Sequence, residues 1–340
     1  MSNNLPSYLT ISTDFNSDLN NVIETLNPDK IAILIDENTK KYCLPHLHLS
    51  VDAQIEIQSG EQHKTLDTCS HIWQQLTAIG CTRKSLLINL GGGVIGDMGG
   101  FAASTYKRGM PFINIPTTLL SQIDASVGGK LGIDFEGLKN HIGVFQDPAR
   151  VIINTDFLKT LPKRELKSGF AEIIKHALIR SKEQWEYLNR YSFEEMDWNE
   201  IIPKSIVIKN EVVQADPRES GVRKILNYGH TVGHALESHF LDSDTSLLHG
   251  EAIAWGMILE NEIAVIAGLL SKGESEEING FIRDVYDLNL ELPNYAILRS
   301  HLLQDKKNDA QGIRFSLLEK IGACAHDVLV EETVLKSILK

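Results

Sequence analysis

A change of hydrophobic period near residue 155 constrains this chain more than any other feature. Before it, short apolar runs rich in Ile, Val and Leu recur: KIAILID (30–36), AQIEIQ (53–58), SLLINLGGG (85–93), FINIP (112–116) and RVIINT (150–155). Helix-like stretches separate several of them, such as 64–79, where Leu66, Ile72, Trp73, Leu76 and Ile79 form an apolar stripe. Strands alternating with helices predict a mainly parallel sheet covered on both faces. After Thr155 the helical period takes over at 163–190, 198–214, 229–240, 249–270 and 274–288, with one late strand or hairpin at 313–322. The expected architecture is an α/β N-terminal nucleotide-binding domain over 1–157. A mainly α-helical C-terminal domain for metal and substrate follows over 158–340, with ligands between the two.

Composition narrows the function. The 340 residues carry 33 Lys and Arg against 45 Asp and Glu, a net charge of −12. Such a surface repels phosphate backbones, and no basic patch stands out, so a nucleic-acid partner is not expected. No apolar stretch approaches the roughly 20 residues needed to span a bilayer. The N-terminus, MSNNLPSYLTISTDFN, lacks the charged-then-apolar pattern of a secretory signal. The cysteines are Cys43, Cys69, Cys81 and Cys324, with no CxxC pair. They read as scattered core thiols of a reduced, cytoplasmic protein.

Two motif groups carry chemistry. LINLGGGVIGDMGG sets Gly91, Gly93 and Gly96 in a GxGxxG spacing between a strand and a helix. Glycines there let backbone approach a pyrophosphate, and the helix N-terminus offers unpaired N–H groups to it. The loop follows the third or fourth strand, and no acid lies about 20 residues on to hold a ribose, so this is not the usual dinucleotide arrangement. Asp36 and Glu61, each after a strand, are alternative ribose partners.

The second group is helical. SGFAEIIKHALI brings Glu172, Lys175 and His176 to one helix face. LNYGHTVGHALE carries Asn227, His230 and His234, and LLHGEAIAWGMILE opens with His249. One carboxylate with two or three imidazoles suits zinc or a similar divalent ion. Spacing leaves the ligand set open, since His176 and His234 stand as candidates beside Glu172, His230 and His249. Cationic residues recur in the same segments: Arg108, Lys130, Lys139, Lys209, Arg223, Lys306 and Lys307. Lysine and arginine so placed in an acidic chain point to a small anionic substrate bearing phosphate or carboxylate.

With these residues in view, the sequence resembles the 3-dehydroquinate synthases of the sugar-phosphate cyclase group. The match rests on SGEQHKT, GGGVIGDMGGFAAS, YKRG, IPTTLLSQIDASVGGKLGID, KNHIGVFQDP, GFAEIIKHALI, RKILNYGHTVGHALE, LHGEAIAWGM and DKK. The resemblance implies a dehydroquinate synthase-like fold and a metal, zinc or cobalt, held by Glu172, His230 and His249. It implies NAD contacts at Asp36, Ser59, Gly60, Glu61, Lys64, Gly93, Val94, Ile95, Gly96, Asp97, Thr117, Thr118, Lys130, Lys139, Phe157, Leu158, Lys159 and Thr160. Lys130, Lys175, Lys209 and His234 would be catalytic. Asp124, Asn140, Arg223, Asn227 and one or both of Lys306 and Lys307 would bind substrate, with Arg108 reaching the phosphate from the neighbouring subunit of a homodimer. The implied reaction is transient oxidation of a heptulosonate phosphate by NAD, phosphate elimination, re-reduction and aldol closure. Departures are Gln62 where the family has lysine, Leu131 where it has threonine, and a slightly long segment between His234 and His249. The nearest alternative is a metal-dependent polyol dehydrogenase, which has less need of so many cationic residues.

Overall fold

A computed structural model describes residues 5–136, 138–241, 246–288, 291–303 and 312–339. The chain divides into two compact units, Met1–Pro162 and Lys163–Lys340.

The first unit is built on strands β1 (Leu9–Ile11), β2 (Ile31–Asp36), β3 (Ala53–Ile57), β4 (Leu86–Gly91), β5 (Phe112–Pro116) and β8 (Arg150–Ile153). Among the described residues these form one parallel sheet in the order β1-β8-β5-β4-β2-β3. Side chains alternate across a strand, and β2 shows the consequence. Ala32 and Leu34 enter one core with Ile55, Ile72, Leu87, Met98 and Phe101, while Ile33 and Ile35 enter another with Phe15, Leu19, Ile88 and Ile115. Helices α3 (Leu66–Ala78) and α4 (Gly93–Thr105) cover the first face and α1 (Phe15–Leu26) the second, which is why these strands read as unbroken apolar runs. A short helix, α2 (Glu37–Tyr42), follows β2 directly.

The five expected strands correspond to β2, β3, β4, β5 and β8. The three-residue β1 and an antiparallel hairpin, β6 (Lys130–Phe135) with β7 (Leu138–Phe145), are additions. Buried Leu131 of β6 packs on α4 at Gly100, a volume that a threonine would fill less completely. From β2 the chain moves outward to β3 and then returns to β4 on the other side of β2. That reversal opens a crevice at the carboxyl ends of β2 and β4, where ligands of open α/β sheets bind. Gly99 lets α4 lie close over this region, because a Cβ there would collide with the side chains of Asn89 and Leu34.

The second unit holds α5 (Lys163–Arg180), α6 (Lys182–Leu188), α7 (Trp198–Ala215), α8 (His230–Phe240), α9 (His249–Ile266), α10 (Lys272–Val285), α11 (Tyr295–Leu303) and α12 (Glu332–Ile338). Its late apolar run is a hairpin, β9 (Ile313–Lys320) with β10 (Ala323–Val330). Helix α9 packs against α5, α8 and α10 and is buried along most of its length. Cys43, Cys69 and Cys81 are buried free thiols, and burial pushes the Cys69 thiol up to about 12. Among the described residues no helix is long and apolar enough to cross a membrane.

Candidate metal centre and nucleotide crevice

In the first unit, Asp36 ends β2 and caps α2, its carboxylate accepting from the Thr39 N–H at 2.7 Å. Glu37 beside it accepts from the Ser59 N–H and hydroxyl at 3.1 and 2.5 Å. A 510 Å³ cleft lined by Glu37, Glu56, Ile57, Gln58, Ser59 and His63 lies at this end of β2 and β3. In the sequence Glu37 carries only the signal of an ordinary first-turn acid. Gly60 turns the chain at a φ of 106°, Glu61 opens the next turn, and the side chain of Gln62 folds back over Gly60.

Helix α4 begins without a side-chain cap, so its first N–H groups are available to an anion. A Cβ at Gly93 would meet only Ala125 at 3.5 Å, and one at Gly96 only Asn114 at 4.0 Å. The chain's own packing does not demand glycine at either place, and the missing side chains leave room for close approach to the backbone. Val94 packs at the core margin and Ile95 within the core. Asp97, one turn in, accepts from the buried Lys64 ammonium at 2.6 Å, and the same ammonium donates to Asn140 Oδ1 at 2.5 Å. Burial works against the charged form of Lys64, but Asp97 and Glu61 outweigh it and raise its pKa. Asn140 adopts a φ of 51° on β7, beside Lys139.

Thr117 and Thr118 follow β5, with the Thr117 N–H donating to the Gly91 carbonyl at 3.0 Å. Asp124 lies in the turn Ser121–Ala125, and Lys130 opens β6. Phe157, Leu158, Lys159 and Thr160 form a 3₁₀ turn after β8. The Phe157 ring packs edge-on against Phe15 and Lys159 pairs with Asp156, so these two side chains already have partners within the fold. Arg108 is exposed after α4, with a φ of 66°.

The second unit brings three dispersed segments together. Glu172 on α5, His230 at the start of α8 and His249 at the start of α9 present ligand atoms within 4.8 Å of one another. Glu172 Oε1 stands 3.4 Å from His230 Nε2 and 3.4 Å from His249 Nε2. Zinc–ligand bonds of about 2.0–2.1 Å in a tetrahedron put ligand atoms about 3.3–3.4 Å apart, so the spacing fits a bound ion and is long for hydrogen bonds. Glu172 Oε1 is buried with no hydrogen-bond partner, an orphan that a cation would satisfy. Its other oxygen pairs with the buried Lys175 ammonium. The side chain of Glu172 is 1% exposed, that of His230 12% and that of His249 26%, so the group opens on the histidine side.

Partners behind the ligands orient them. His230 Nδ1–H donates to the Tyr228 carbonyl at 3.1 Å, leaving Nε2 as a donor to metal. Glu237 lies 3.6 Å from His249 Nδ1. It sits seven residues after His230 in the quoted motif, and that two-turn spacing was the available signal for it. Burial would raise the Glu172 carboxyl, but Lys175 and His249 hold it well below the usual carboxylate range. Burial would depress the His249 imidazole, yet Glu172 and Glu237 flank it and push it up to about 10. The His249 shift expresses the negative charge around that ring, while the Glu172 shift keeps a carboxylate ionised beside it, a donor set suited to a cation.

The two histidines that spacing left open also come within ligand distance of this group, His234 presenting an atom within 4.8 Å of Glu237 and His249, and His176 within 4.8 Å of Glu172. His176 is fully buried and its Nδ1 is hydrogen-bonded to Ser205 Oγ at 2.7 Å. His234 is exposed, its ring 5.0 Å from that of His230 and 6.0 Å from that of His249. Lys209 is buried on α7. Arg223 is also buried, and its guanidinium donates to the Pro217 carbonyl at 2.8 Å. Asn227 Nδ2 donates at 2.9 Å to Glu219, a carboxylate that carries no periodicity signal in its loop. Lys306 and Lys307 lie outside the described residues, as does part of the segment between His234 and His249.

These motifs occur together in known proteins. Residues 54–168 match the family model described as 3-dehydroquinate synthase N-terminal, and residues 169–308 the one described as 3-dehydroquinate synthase C-terminal. A protein of Parabacteroides distasonis named 3-dehydroquinate synthase is 38% identical over 336 residues, covering 96% of this chain and 94% of that one. One of Sulfurovum sp. with the same name is 41% identical over 324 residues, covering 92% and 90%. Among solved structures, 2-epi-5-epi-valiolone synthase from Streptomyces hygroscopicus subsp. jinggangensis, with NAD+ and Zn2+ bound, superposes with a TM-score of 0.85. It is 25% identical and is covered over 96% of its length, against 98% of this chain. Matched in both halves and over nearly the full length of these relatives, the chain belongs to the 3-dehydroquinate synthase family.

Proposed function

We propose that the chain is a 3-dehydroquinate synthase, converting 3-deoxy-D-arabino-heptulosonate 7-phosphate to 3-dehydroquinate and phosphate in aromatic amino-acid biosynthesis. It does so as a cytoplasmic homodimer, a carbon–oxygen lyase with NAD and a zinc or cobalt ion resident. The observation that carries the reading is the Glu172–His230–His249 group at ligand spacing in a chain of this family.

Bound in these places, NAD supplies a hydride acceptor returned to its oxidised form in each turnover, and the ion a Lewis acid that favours a substrate alkoxide. The chain's own residues do the rest. Glu172 Oε1, His230 Nε2 and His249 Nε2 hold the ion, with Lys175 keeping the second Glu172 oxygen in place. The uncapped start of α4 and the open faces of Gly93 and Gly96 take the pyrophosphate, while Asp36 receives ribose hydroxyls at the β2 end of the crevice. Lys64 fixes Asp97 and Asn140 around it. Buried Lys209 and Arg223 supply positive charge for the substrate carboxylate, and His234 and Asn227 bind its phosphate.

The test is phosphate release from this substrate with NAD and Zn2+, following NADH absorbance in parallel. Phosphate release without lasting NADH, abolished by a chelator, is expected. NADH accumulating with glycerol or a short alcohol, and no phosphate release, would replace this reading with a polyol dehydrogenase.

A further inference from the structure

Glu260 is a charged residue with no exposed surface, in the middle of α9 and about three turns beyond the ligand His249. Its two oxygens reach out of its own helix. Oε2 accepts from the Gly229 N–H at 2.7 Å and Oε1 from the Val232 N–H at 3.1 Å. Those are the cap residue and the third residue of α8, the helix that His230 begins. Gly229 has no side chain to cap α8 itself. It cannot readily be exchanged for a residue that has one, since its φ is 80° and a Cβ would meet Met257 at 2.6 Å. The carboxylate of a neighbouring helix therefore does what an N-cap side chain ordinarily does, with a full negative charge at the positive end of the helix dipole.

The next residue of α9 extends the clamp. Asn261 Oδ1 accepts from the Tyr228 hydroxyl at 2.7 Å, and its amide donates to Asn279 Oδ1 at 2.9 Å. Tyr228 in turn supplies the carbonyl on which the His230 ring is oriented. Gly256 closes the contact, because a Cβ there would collide with the Gly229 carbonyl oxygen. Helix α9 thus carries one histidine of the metal group directly and sets the backbone from which the other projects.

We propose that Glu260 is a positioning residue for the metal centre, holding the start of α8 so that His230 Nε2 meets the same ion as Glu172 and His249. The assignment rests on the metal-binding reading above and adds to it a residue outside the ligand set. A buried carboxylate is a costly way to cap a helix. Two charge-assisted hydrogen bonds to the first turn of backbone fix that helix end more firmly than a neutral cap would.

The experiment titrates chelator-stripped wild-type protein and Glu260→Gln with Co2+. It reads the visible absorption of the bound ion and competition with a chelating dye, with the Tm of each metal-free protein alongside. Glutamine keeps the shape and one acceptor but turns an NH2 group toward the second N–H. Co2+ affinity is expected to fall about tenfold or more, the usual effect of disturbing a partner behind a metal ligand, and the absorption band to shift as His230 moves. Glu260→Asp keeps the charge but withdraws it by one methylene, and it is expected to weaken Co2+ binding in the same way; it serves as the variant should glutamine fail to fold. Wild-type affinity and an unchanged Co2+ spectrum in a folded variant would overturn the proposal, even with a lowered Tm, because Glu260 would then be a helix cap alone. A wild-type protein showing no Co2+ band would overturn the metal centre and this assignment with it, which separates the two failures.

Discussion

Glu172 and Lys175 illustrate how closely charge is accounted for at the level of single residues. Both are almost fully buried and each is the other's counter-charge. Replacing Glu172 with Gln is expected to do more than remove a proposed metal ligand, since it strands the Lys175 ammonium without its counter-charge. Removing one member of a buried pair typically costs about 3–5 kcal/mol. Denaturant unfolding of chelator-treated Glu172→Gln should show a loss of that order, largely recovered in the Glu172→Gln/Lys175→Met double variant. Asp216 gives a pH-dependent counterpart. Its carboxylate accepts from the N–H groups of Gly221, Ser220 and Arg223, which hold its pKa down to about 2. A folded-state pKa below the unfolded one stabilises above the unfolded value and is lost as pH falls through the folded value. The loop bearing Arg223 should therefore lose this support between about pH 4 and pH 2. Unfolding midpoints measured across that range should fall less steeply in Asp216→Asn. Neither arrangement was legible beforehand: Lys175 and Glu172 share a helix face by spacing, but only burial makes them each other's counter-charge.

At the level of elements, long buried helices were easier to read than short or exposed elements such as α11 (Tyr295–Leu303) and α12 (Glu332–Ile338), because a buried stripe repeats over many residues. The runs at 198–214, 229–240 and 249–270 match α7, α8 and α9 closely. Strand β1 has three residues, too few for a period to emerge. The hairpin β6–β7 was hidden because β7 is almost wholly exposed and interleaves Gly and polar residues with its apolar ones. Close packing of α4 on the sheet is the element-level feature most open to test. Gly99→Ala would push a methyl group into Asn89 and Leu34, and overpacking of this kind costs about 1–3 kcal/mol. Denaturant unfolding should show that loss, and NAD titration should show weaker binding because the start of α4 shifts with the helix.

Over the whole molecule the two units divide the chemistry, with the crevice residues in one and the carboxylate–histidine group in the other. Binding of Zn2+ at about 100 times its Kd should stabilise the chelated protein by about 2.7 kcal/mol. Hydrogen exchange is expected to slow in α5, α8 and α9 and to stay unchanged in the parallel sheet; slowing in the sheet alone would contradict the ligand set. The amino-acid order by itself determined the α/β-then-helical plan, the place of the glycine loop after a strand, and the three helical segments bearing the carboxylate and imidazoles proposed to bind metal. Each of these is a pattern among near neighbours, and local backbone geometry turns such patterns into strands, helices and shared faces. Only the tertiary structure decided which faces meet. It set Glu172 between His230 and His249, gave His176 to Ser205, left His234 exposed and placed Glu260 under the start of α8. Spacing along a helix says which residues lie together, while the packing of helices dozens of residues apart selects the atoms that converge on one point.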